Sequence, residues 1–300
     1  MLRVTLSVMA GLVALIFILN LLVAIGATHH IAQGELLGVG KIVRRDPVQF
    51  GLAFENVTYG LSGDAWWIPA DSPLGCVVMV HGYDPFIDPK SGDPGPLLDL
   101  AAHFHQWGYG TLIINLGYAT GAHPYSGGEL ESADVTQAVN WCAERHLGRV
   151  GLWGFSAGGS AALLAASNGA PVAAVAADSA FADAGTVITE QASRVTRLPT
   201  GFLMLVPPLM TALAYPGPVN LLEVLSQQPI DAPVLLIHGQ ADSAIAPDNL
   251  VSLQRVTDAA IWKVPAADHI RSYQVSTAEY LSRARTFLDA HLKFRAPPEP

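Results

Sequence analysis

Residues 149–166 read RVGLWGFSAGGSAALLAA and combine three local patterns that together indicate the fold of the chain. It begins with an apolar run typical of a buried strand and ends in small residues typical of a closely packed helix. Between the two lies the pattern G-x-S-x-G, from Gly154 to Gly158. A strand that turns this sharply into a helix exposes the serine hydroxyl, and a Cβ at either glycine would clash in the turn. The stretch therefore predicts a strand, a nucleophile elbow at Ser156 and a helix.

Strand-like and helix-like segments alternate on both sides of this stretch. The strand-like runs are short and continuously apolar, the pattern of strands that are buried on both faces of a sheet. They are residues 75–80, 110–115, 150–154, 172–177, 234–237 and 261–264, after edge strands within 57–69, and the helix-like segments include 97–107, 129–146 and 278–292. This alternation predicts an α/β fold for residues 51–295, with a mainly parallel central sheet and helices on both faces.

Residues 186–225 interrupt the alternation. They contain helical patterns but no strand-like run, and the Pro207-Pro208 pair breaks their longest apolar stretch. The segment lies between two predicted strands, so it would form an excursion above the sheet. We expect either a helical cap that lines an apolar substrate pocket or a pair of ordinary covering helices.

Two later loops supply candidates for the base and the acid that an activated serine needs. In a sheet of this kind they follow the serine in the order acid, then histidine. Asp242 lies in a loop after the apolar run 234–237, at the strand end where parallel sheets place their sites. Asp178, at the end of the preceding strand, is the alternative acid. His269 follows the last strand, and we predict a catalytic triad of Ser156, Asp242 and His269.

Two backbone N–H groups are expected to stabilise the charge that develops on the substrate oxygen. The first is that of Ala157, directly after the serine. The second is expected from the loop that follows residues 75–80, where we choose the amide of Tyr83. His81 in the same loop is expected to support the loop rather than to react.

Taken together, these residues resemble the α/β-hydrolase superfamily. The most similar patterns are those of membrane-anchored Bem46-like esterases and of serine-aminopeptidase-like hydrolases. The matching pieces are residues 81–82, 154–158, 178–183, 238–242 and His269. The resemblance implies an α/β-hydrolase fold that hydrolyses esters, thioesters or amides without a cofactor or a metal ion. Residues 117–128 depart from it because they lack the form D-x-R-G-x-G-x-S, and the H-G-G-G form of the oxyanion loop is also absent.

The N-terminus carries a long apolar run, residues 4–27. A helix of this length rises about 36 Å, enough to cross a hydrocarbon core about 30 Å thick. We predict a single-pass transmembrane anchor at residues 1–28 and a linker at 29–50, with a cleaved secretory signal as the alternative. Arg3 favours an N-terminus inside and a hydrolase domain outside the cytoplasm, whereas Lys41, Arg44 and Arg45 oppose this orientation.

Composition limits the classes of partner and function. The net charge is −9 and no segment clusters Lys and Arg, so nucleic acid is not an expected partner. The cysteines, Cys76 and Cys142, are expected to be buried thiols, with a single disulfide as the alternative. Neither His29-His30 nor the pair His103 and His105 is expected to bind a metal ion.

The function predicted from the sequence is that of a serine hydrolase on a small-molecule or lipid-like acyl substrate. It would cleave a carboxylic ester or thioester through an acyl-enzyme intermediate. The first alternative is a peptidase or amidase of the same fold. The second is a membrane-linked binding module without catalytic activity.

Overall fold

A computed structural model describes residues 9, 11, 15, 18–29, 45–71, 73–83, 96–213 and 217–293. Within these residues, eight strands form one sheet with the order β1-β2-β4-β3-β5-β6-β7-β8. The strands are β1 (Glu55–Tyr59), β2 (Gly63–Ile68), β3 (Cys76–Val80), β4 (Gly110–Ile114), β5 (Val150–Phe155), β6 (Ala174–Asp178), β7 (Val234–Gly239) and β8 (Ala260–Val264). The first two pairings are antiparallel and all the others are parallel, which confirms the mainly parallel sheet.

Helices surround this sheet. They are α1 (described at 18–29), α2 (Leu97–Gln106), α3 (Gly117–Thr120), α4 (Glu129–Glu144), α5 (Ala157–Ser167), α6 (Ala184–Thr196), α7 (Thr200–Leu203), α8 (Val206–Ala212), α9 (Leu221–Gln227), α10 (Asp248–Val256), α11 (Ser272–Val275) and α12 (Thr277–His291). A short 3-10 helix, Pro47–Phe50, forms within the range predicted as a linker.

The central strands are apolar throughout because they are buried on both faces. Every residue of β3, β4, β5, β6 and β7 is buried. In β3, Val78 and Val80 join the hydrophobic cluster that α4, α5, α9 and α10 cover, while Val77 and Met79 join the cluster beneath α2 and α12. Alternate side chains of a strand point to opposite faces, so a strand covered on both sides needs no polar positions. Helices on both faces are therefore confirmed.

The two cysteines are paired, contrary to our expectation of two buried thiols. A disulfide joins Cys76 in β3 to Cys142 in α4, with 6.4 Å between their Cα atoms. Their separation of 66 residues concealed the pairing in the sequence. The contact arises because α4 packs directly across β3.

Helices α6 to α9 connect β6 to β7 over the segment that we predicted as an excursion. Helix α6 begins at an Asp183 cap, whose carboxylate accepts from Thr186 N at 2.6 Å. Its Gln191 side chain donates to the carbonyl oxygen of Ala244 at 3.0 Å, in the loop that carries Asp242. The insertion thus lies over the carboxyl edge of the sheet.

Much of the predicted membrane span, residues 4–27, lies outside the described residues. Among those described, no helix is both long and apolar enough to cross a bilayer. The described part of α1 packs on the protein along one side, where Ala24 and Thr28 are fully buried. The hydroxyl of Thr28 lies 3.5 Å from the carbonyl oxygen of Val206 in α8.

Candidate active site

The turn between β5 and α5 presents Ser156 as the sequence predicts. Ser156 adopts φ 51° and ψ −121°, which costs an L-residue about 1–3 kcal/mol. Its amide donates to the carbonyl oxygen of Asp178 at 2.8 Å, which ties the turn to β6. A Cβ at Gly154 would lie 2.4 Å from the Gly158 oxygen, and one at Gly158 would lie 2.2 Å from the His81 oxygen. Both glycines are therefore required by close backbone contacts.

His269 joins the serine to the acid. Its Nε2 lies 2.9 Å from Ser156 Oγ, and its Nδ1 lies 2.8 Å from Asp242 Oδ2. An ionised carboxylate only accepts hydrogen bonds, so Nδ1 carries a proton and donates it to Asp242. In the neutral ring Nε2 is then free to accept from the serine hydroxyl. The structure brings the three predicted residues together from the β5–α5 turn, the loop after β7 and the loop after β8.

The carboxylate of Asp242 is held as an anion. Its side chain is fully buried, and Oδ1 accepts from the amides of Ala244 at 2.9 Å and Ile245 at 2.7 Å. Burial alone would raise the pKa of Asp242, but hydrogen bonds from His238 and His269 and from the Ile245 amide hold that pKa well below its usual range.

His238 also contacts the acid, a role that our sequence analysis did not assign to it. Its Nε2 lies 3.2 Å from Asp242 Oδ2 and 3.0 Å from the carbonyl oxygen of Ile245. Both neighbours are acceptors, so this nitrogen carries a proton shared between them. The spacing of four residues between His238 and Asp242, across the end of β7, was the available signal.

Asp178, the alternative acid, has other partners. Its carboxylate accepts from the hydroxyls of Ser179 at 3.0 Å, Ser272 at 3.2 Å and Tyr280 at 3.1 Å. Burial raises the pKa of Asp178 to about 6, against these hydrogen bonds. Ser179 Oγ in turn accepts from the amide of Ile270 at 3.2 Å. Through Ser179, Asp178 thus supports the segment that contains His269.

The loop after β3 lies against the serine. A Cβ at Gly82 would lie 3.2 Å from the Cβ of Ser156. Leu116 N–H donates to His81 Nε2 at 3.0 Å, so His81 carries its proton on Nδ1 and donates it to the Gly82 oxygen at 2.6 Å. His81 therefore supports the loop, as expected.

Tyr118 fixes the same carbonyl from the loop after β4. Its hydroxyl donates to the Gly82 oxygen at 3.0 Å. Because a trans peptide is planar, its C=O and its N–H point in opposite directions. Holding the Gly82 oxygen therefore also sets the direction of the Tyr83 N–H, our predicted oxyanion donor. Ala157, the other, is the first residue of α5, where amides have no partner within the helix.

Residues 117–128, which depart from the family pattern, are held in place by hydrogen bonds to two buried carboxylates. Asp134 Oδ2 accepts from Gly117 N at 2.7 Å and lies 2.8 Å from His123 Nε2. Glu131 accepts from Ser126 N at 3.0 Å and from Gly128 N at 2.7 Å. Tyr118 and Tyr125 of this loop pack against each other and against the ring of Tyr83, in the loop after β3.

The histidine pairs set aside in the sequence have ordinary surroundings where they are described. His105 Nδ1 lies 2.9 Å from the carbonyl oxygen of Pro69, and the ring of His103 lies against Trp107. No group of three or more potential metal-ligating side chains comes together within the described part of the chain. His29 is described at the end of α1, and His30 lies outside the described residues.

This sheet, this strand–serine–helix turn and the two loops that reach it define a serine hydrolase of the α/β-hydrolase fold. The sequence profile of the prolyl oligopeptidase family, Peptidase_S9, matches residues 125–295. The chain belongs to this family, which confirms the superfamily that the motifs predicted. The matched range includes Ser156, Asp242 and His269. The comparison with curated proteins found no match.

Solved structures of the same fold include both esterases and peptidases. An esterase from Pyrococcus furiosus is 20% identical, with a TM-score of 0.68, over 86% of this chain and 99% of that chain. The esterase domain of a Rhodothermus marinus protein is 17% identical, with a TM-score of 0.56, over 80% and 100%. The acylaminoacyl peptidase of Pyrococcus horikoshii is 17% identical, with a TM-score of 0.58, over 83% of this chain but 43% of that one. At such identities the likeness shows the fold.

Proposed function

We propose that the protein hydrolyses a carboxylic ester or thioester through an acyl-enzyme on Ser156. The observation that carries the proposal is the continuous hydrogen-bond chain from Asp242 through His269 to Ser156 Oγ. His269 Nε2 takes the hydroxyl proton as Oγ attacks the acyl carbon. The bond to the leaving oxygen or sulfur then breaks, and the alcohol or thiol departs with that proton.

Water completes the cycle on the same atoms. His269 takes a proton from water as the water oxygen attacks the acyl carbon, and Ser156 leaves with that proton as the acid is released. Asp242 keeps the tautomer of His269 and stabilises the imidazolium in both halves. The amides of Ala157 and Tyr83 receive the developing oxyanion. A binding module without activity would have no use for this alignment.

A peptidase or amidase is the second candidate, and the family match at residues 125–295 favours it. The same residues can cleave an amide if His269 protonates the leaving nitrogen. Esterases of this fold align along nearly their whole length with the chain, whereas the chain spans about two fifths of the Pyrococcus horikoshii peptidase. We therefore put the ester first.

A substrate panel tests the choice. We would measure kcat/KM for p-nitrophenyl esters of increasing acyl length, for a thioester, and for aminoacyl p-nitroanilides. The proposal expects turnover of the esters or the thioester to exceed that of the anilides by at least about 100-fold, and expects Ser156→Ala to remove it. Faster cleavage of an anilide would make the peptidase the better description. Turnover that survives Ser156→Ala would overturn both.

We also propose that residues 4–27 anchor the protein in a membrane, with the hydrolase domain outside the cytoplasm. The apolar length of this run and Arg3 before it support the anchor and its direction. The disulfide between Cys76 and Cys142 supports the same side, because disulfides persist in oxidising compartments. Reporter fusions active on one side of the membrane test the orientation. A C-terminal fusion active only in the cytoplasm would contradict it.

A further inference from the structure

The outer surface of the insertion carries apolar side chains that nothing in the described structure covers. Phe202, Met204 and Leu213 are 41%, 68% and 45% exposed, while Leu203 and Val206 beside them are buried. We call these three residues the cap patch. Large apolar side chains left in water on one short segment are typical of a surface that another apolar phase covers.

The exposed face of α1 continues the cap patch. Thr28 of α1 reaches the Val206 carbonyl oxygen, and Ala24 lies in the same hydrophobic cluster as Leu203 and Val206. The opposite face is bare and apolar, with Ile18, Leu19, Leu22 and Ile25 exposed. One side of α1 therefore packs on the insertion, and the other side exposes apolar side chains.

Charge favours an anionic layer around the patch. Residues 198–222 contain no charged side chain, and the arginines that precede them, Arg194 and Arg197, are exposed. The exposed Glu223 follows the segment, so Arg194 and Arg197 form a basic border at its N-terminal end, in a chain whose net charge is −9. Apolar side chains bordered by arginines match the boundary between acyl chains and anionic headgroups.

The insertion also reaches the active site. Gln191 of α6 contacts the Asp242 loop, and Ala184 and Ile188 of the same helix lie where a Cβ on Gly127 would meet them at 3.2 Å. Gly127 belongs to the loop that carries Tyr125, which packs on Tyr83. One helical layer therefore connects the patch with the oxyanion loop.

From these contacts we infer that the cap patch lies in the surface of the same bilayer that the bare face of α1 enters. The substrate is then an acyl ester lipid of that bilayer, which reaches Ser156 beneath the insertion without crossing bulk water. The substrate half of this inference rests on the ester hydrolysis proposed above. The bilayer contact does not depend on catalysis.

Contact with the bilayer is tested without any turnover. Both native cysteines are paired, so the thiol introduced by Met204→Cys can be labelled alone with an environment-sensitive fluorophore. Leu61→Cys, at the β1–β2 turn and 99% exposed, is the matched control. In full-length protein reconstituted into phosphatidylcholine–phosphatidylglycerol vesicles, brominated lipids should quench the label at 204 and not the label at 61. A label at 204 that stays in water would overturn the inference and leave the patch to a protein partner.

Substrate entry is tested by comparing two esters. The variant Phe202→Ser/Met204→Ser/Leu213→Ser should hydrolyse p-nitrophenyl palmitate in the same vesicles at least about tenfold more slowly, because each change removes exposed apolar surface that the bilayer would bury. It should keep the wild-type rate on soluble p-nitrophenyl acetate. The control Val48→Ser/Leu61→Ser/Val275→Ser changes three exposed apolar residues elsewhere and should keep both rates.

The two proposals fail in different ways. Wild-type protein that cleaves neither ester would contradict the proposed hydrolysis, while the quenching experiment would still decide the bilayer contact. A cap-patch variant that hydrolyses p-nitrophenyl palmitate in vesicles at the wild-type rate would contradict lipid entry alone.

Arg194→Gln/Arg197→Gln should remove the increase in vesicle rate that phosphatidylglycerol gives to the wild type. If phosphatidylglycerol raised the rate of this variant as much as that of the wild type, the two arginines would not be the groups that contact anionic headgroups.

Discussion

The charge of Asp242 gives His269 its working tautomer. In Asp242→Asn an amide replaces the carboxylate of nearly the same shape, and its NH₂ group can face Nδ1. His269 would then carry its proton on Nε2 and could no longer accept from Ser156. We expect kcat to fall by about 10³–10⁴-fold with little change in KM, measured on p-nitrophenyl acetate. A loss below about tenfold, in protein with an unchanged melting temperature, would show that Asp242 is not the orienting acid.

Tyr118 should affect catalysis through the Gly82 carbonyl. Tyr118→Phe removes the hydroxyl that donates to it and leaves the aromatic cluster intact. We expect kcat to fall by about tenfold at constant KM, since a less fixed Tyr83 amide stabilises the oxyanion less well. Tyr125→Phe, in the same cluster, is the control and should keep kcat. Equal losses in both variants would assign the effect to packing.

Some contacts of the candidate site could be predicted from the sequence and some could not. The meeting of Ser156, Asp242 and His269 could be predicted, because strand ends and chain order restrict where a serine, an acid and a base come together. The tautomer of His81 and the contact of Tyr118 with Gly82 could not, because they join loops 36 residues apart. Nothing in the local sequence marks such a pair.

At the scale of single elements, the β5–α5 turn tolerates little change. A Cβ at Gly158 would lie 2.2 Å from the His81 oxygen and 2.6 Å from the Val80 oxygen. Both are backbone atoms of the neighbouring strand end and cannot rotate away. We expect Gly158→Ala to lower the free energy of unfolding by more than about 4 kcal/mol and to abolish activity.

Gly201 in α7 is the matched control for Gly158. A Cβ there would meet nothing within 4 Å, so Gly201→Ala should keep or slightly raise stability. Denaturant unfolding of the two variants and the wild type measures both effects. A Gly158→Ala protein of wild-type stability would contradict the geometry of the turn.

Elements buried on both faces were predictable to within a few residues. Residues 75–80, 110–115 and 150–154 correspond to β3, β4 and β5, because total burial removes polar positions. The 3-10 helix at Pro47–Phe50 was not found, since short helices depend on their caps and neighbours more than on periodicity. The helical character of the insertion was evident from the sequence, but its path above the sheet needed three-dimensional packing.

At the scale of the whole molecule, one buried carboxyl should affect the pH dependence of stability. Asp178 has its pKa raised to about 6 in the folded protein, against 3.8 for the free group. Protonated Asp178 is favoured in the fold, so its stabilising contribution is complete below about pH 4 and is lost as the pH rises through 6. The loss amounts to about 3 kcal/mol.

Asp178→Asn isolates that contribution. Its free energy of unfolding, relative to that of the wild type, should increase by about 3 kcal/mol between pH 3 and pH 7, because the amide does not titrate. Urea unfolding at several pH values gives the difference directly. A difference that stays constant with pH would mean that Asp178 is ionised in the fold at its ordinary pKa.

We propose that Ser156 is the nucleophile of this serine hydrolase. The most direct measurement is the intact mass and the peptide map of the protein after reaction with a fluorophosphonate. We predict one adduct, on Ser156, in the wild type and in Ser160→Ala, which removes a hydroxyl that bonds to the backbone of Phe181. We predict none in Ser156→Ala. An adduct that persists in folded Ser156→Ala, or folded wild-type protein that takes no label, would contradict the claim.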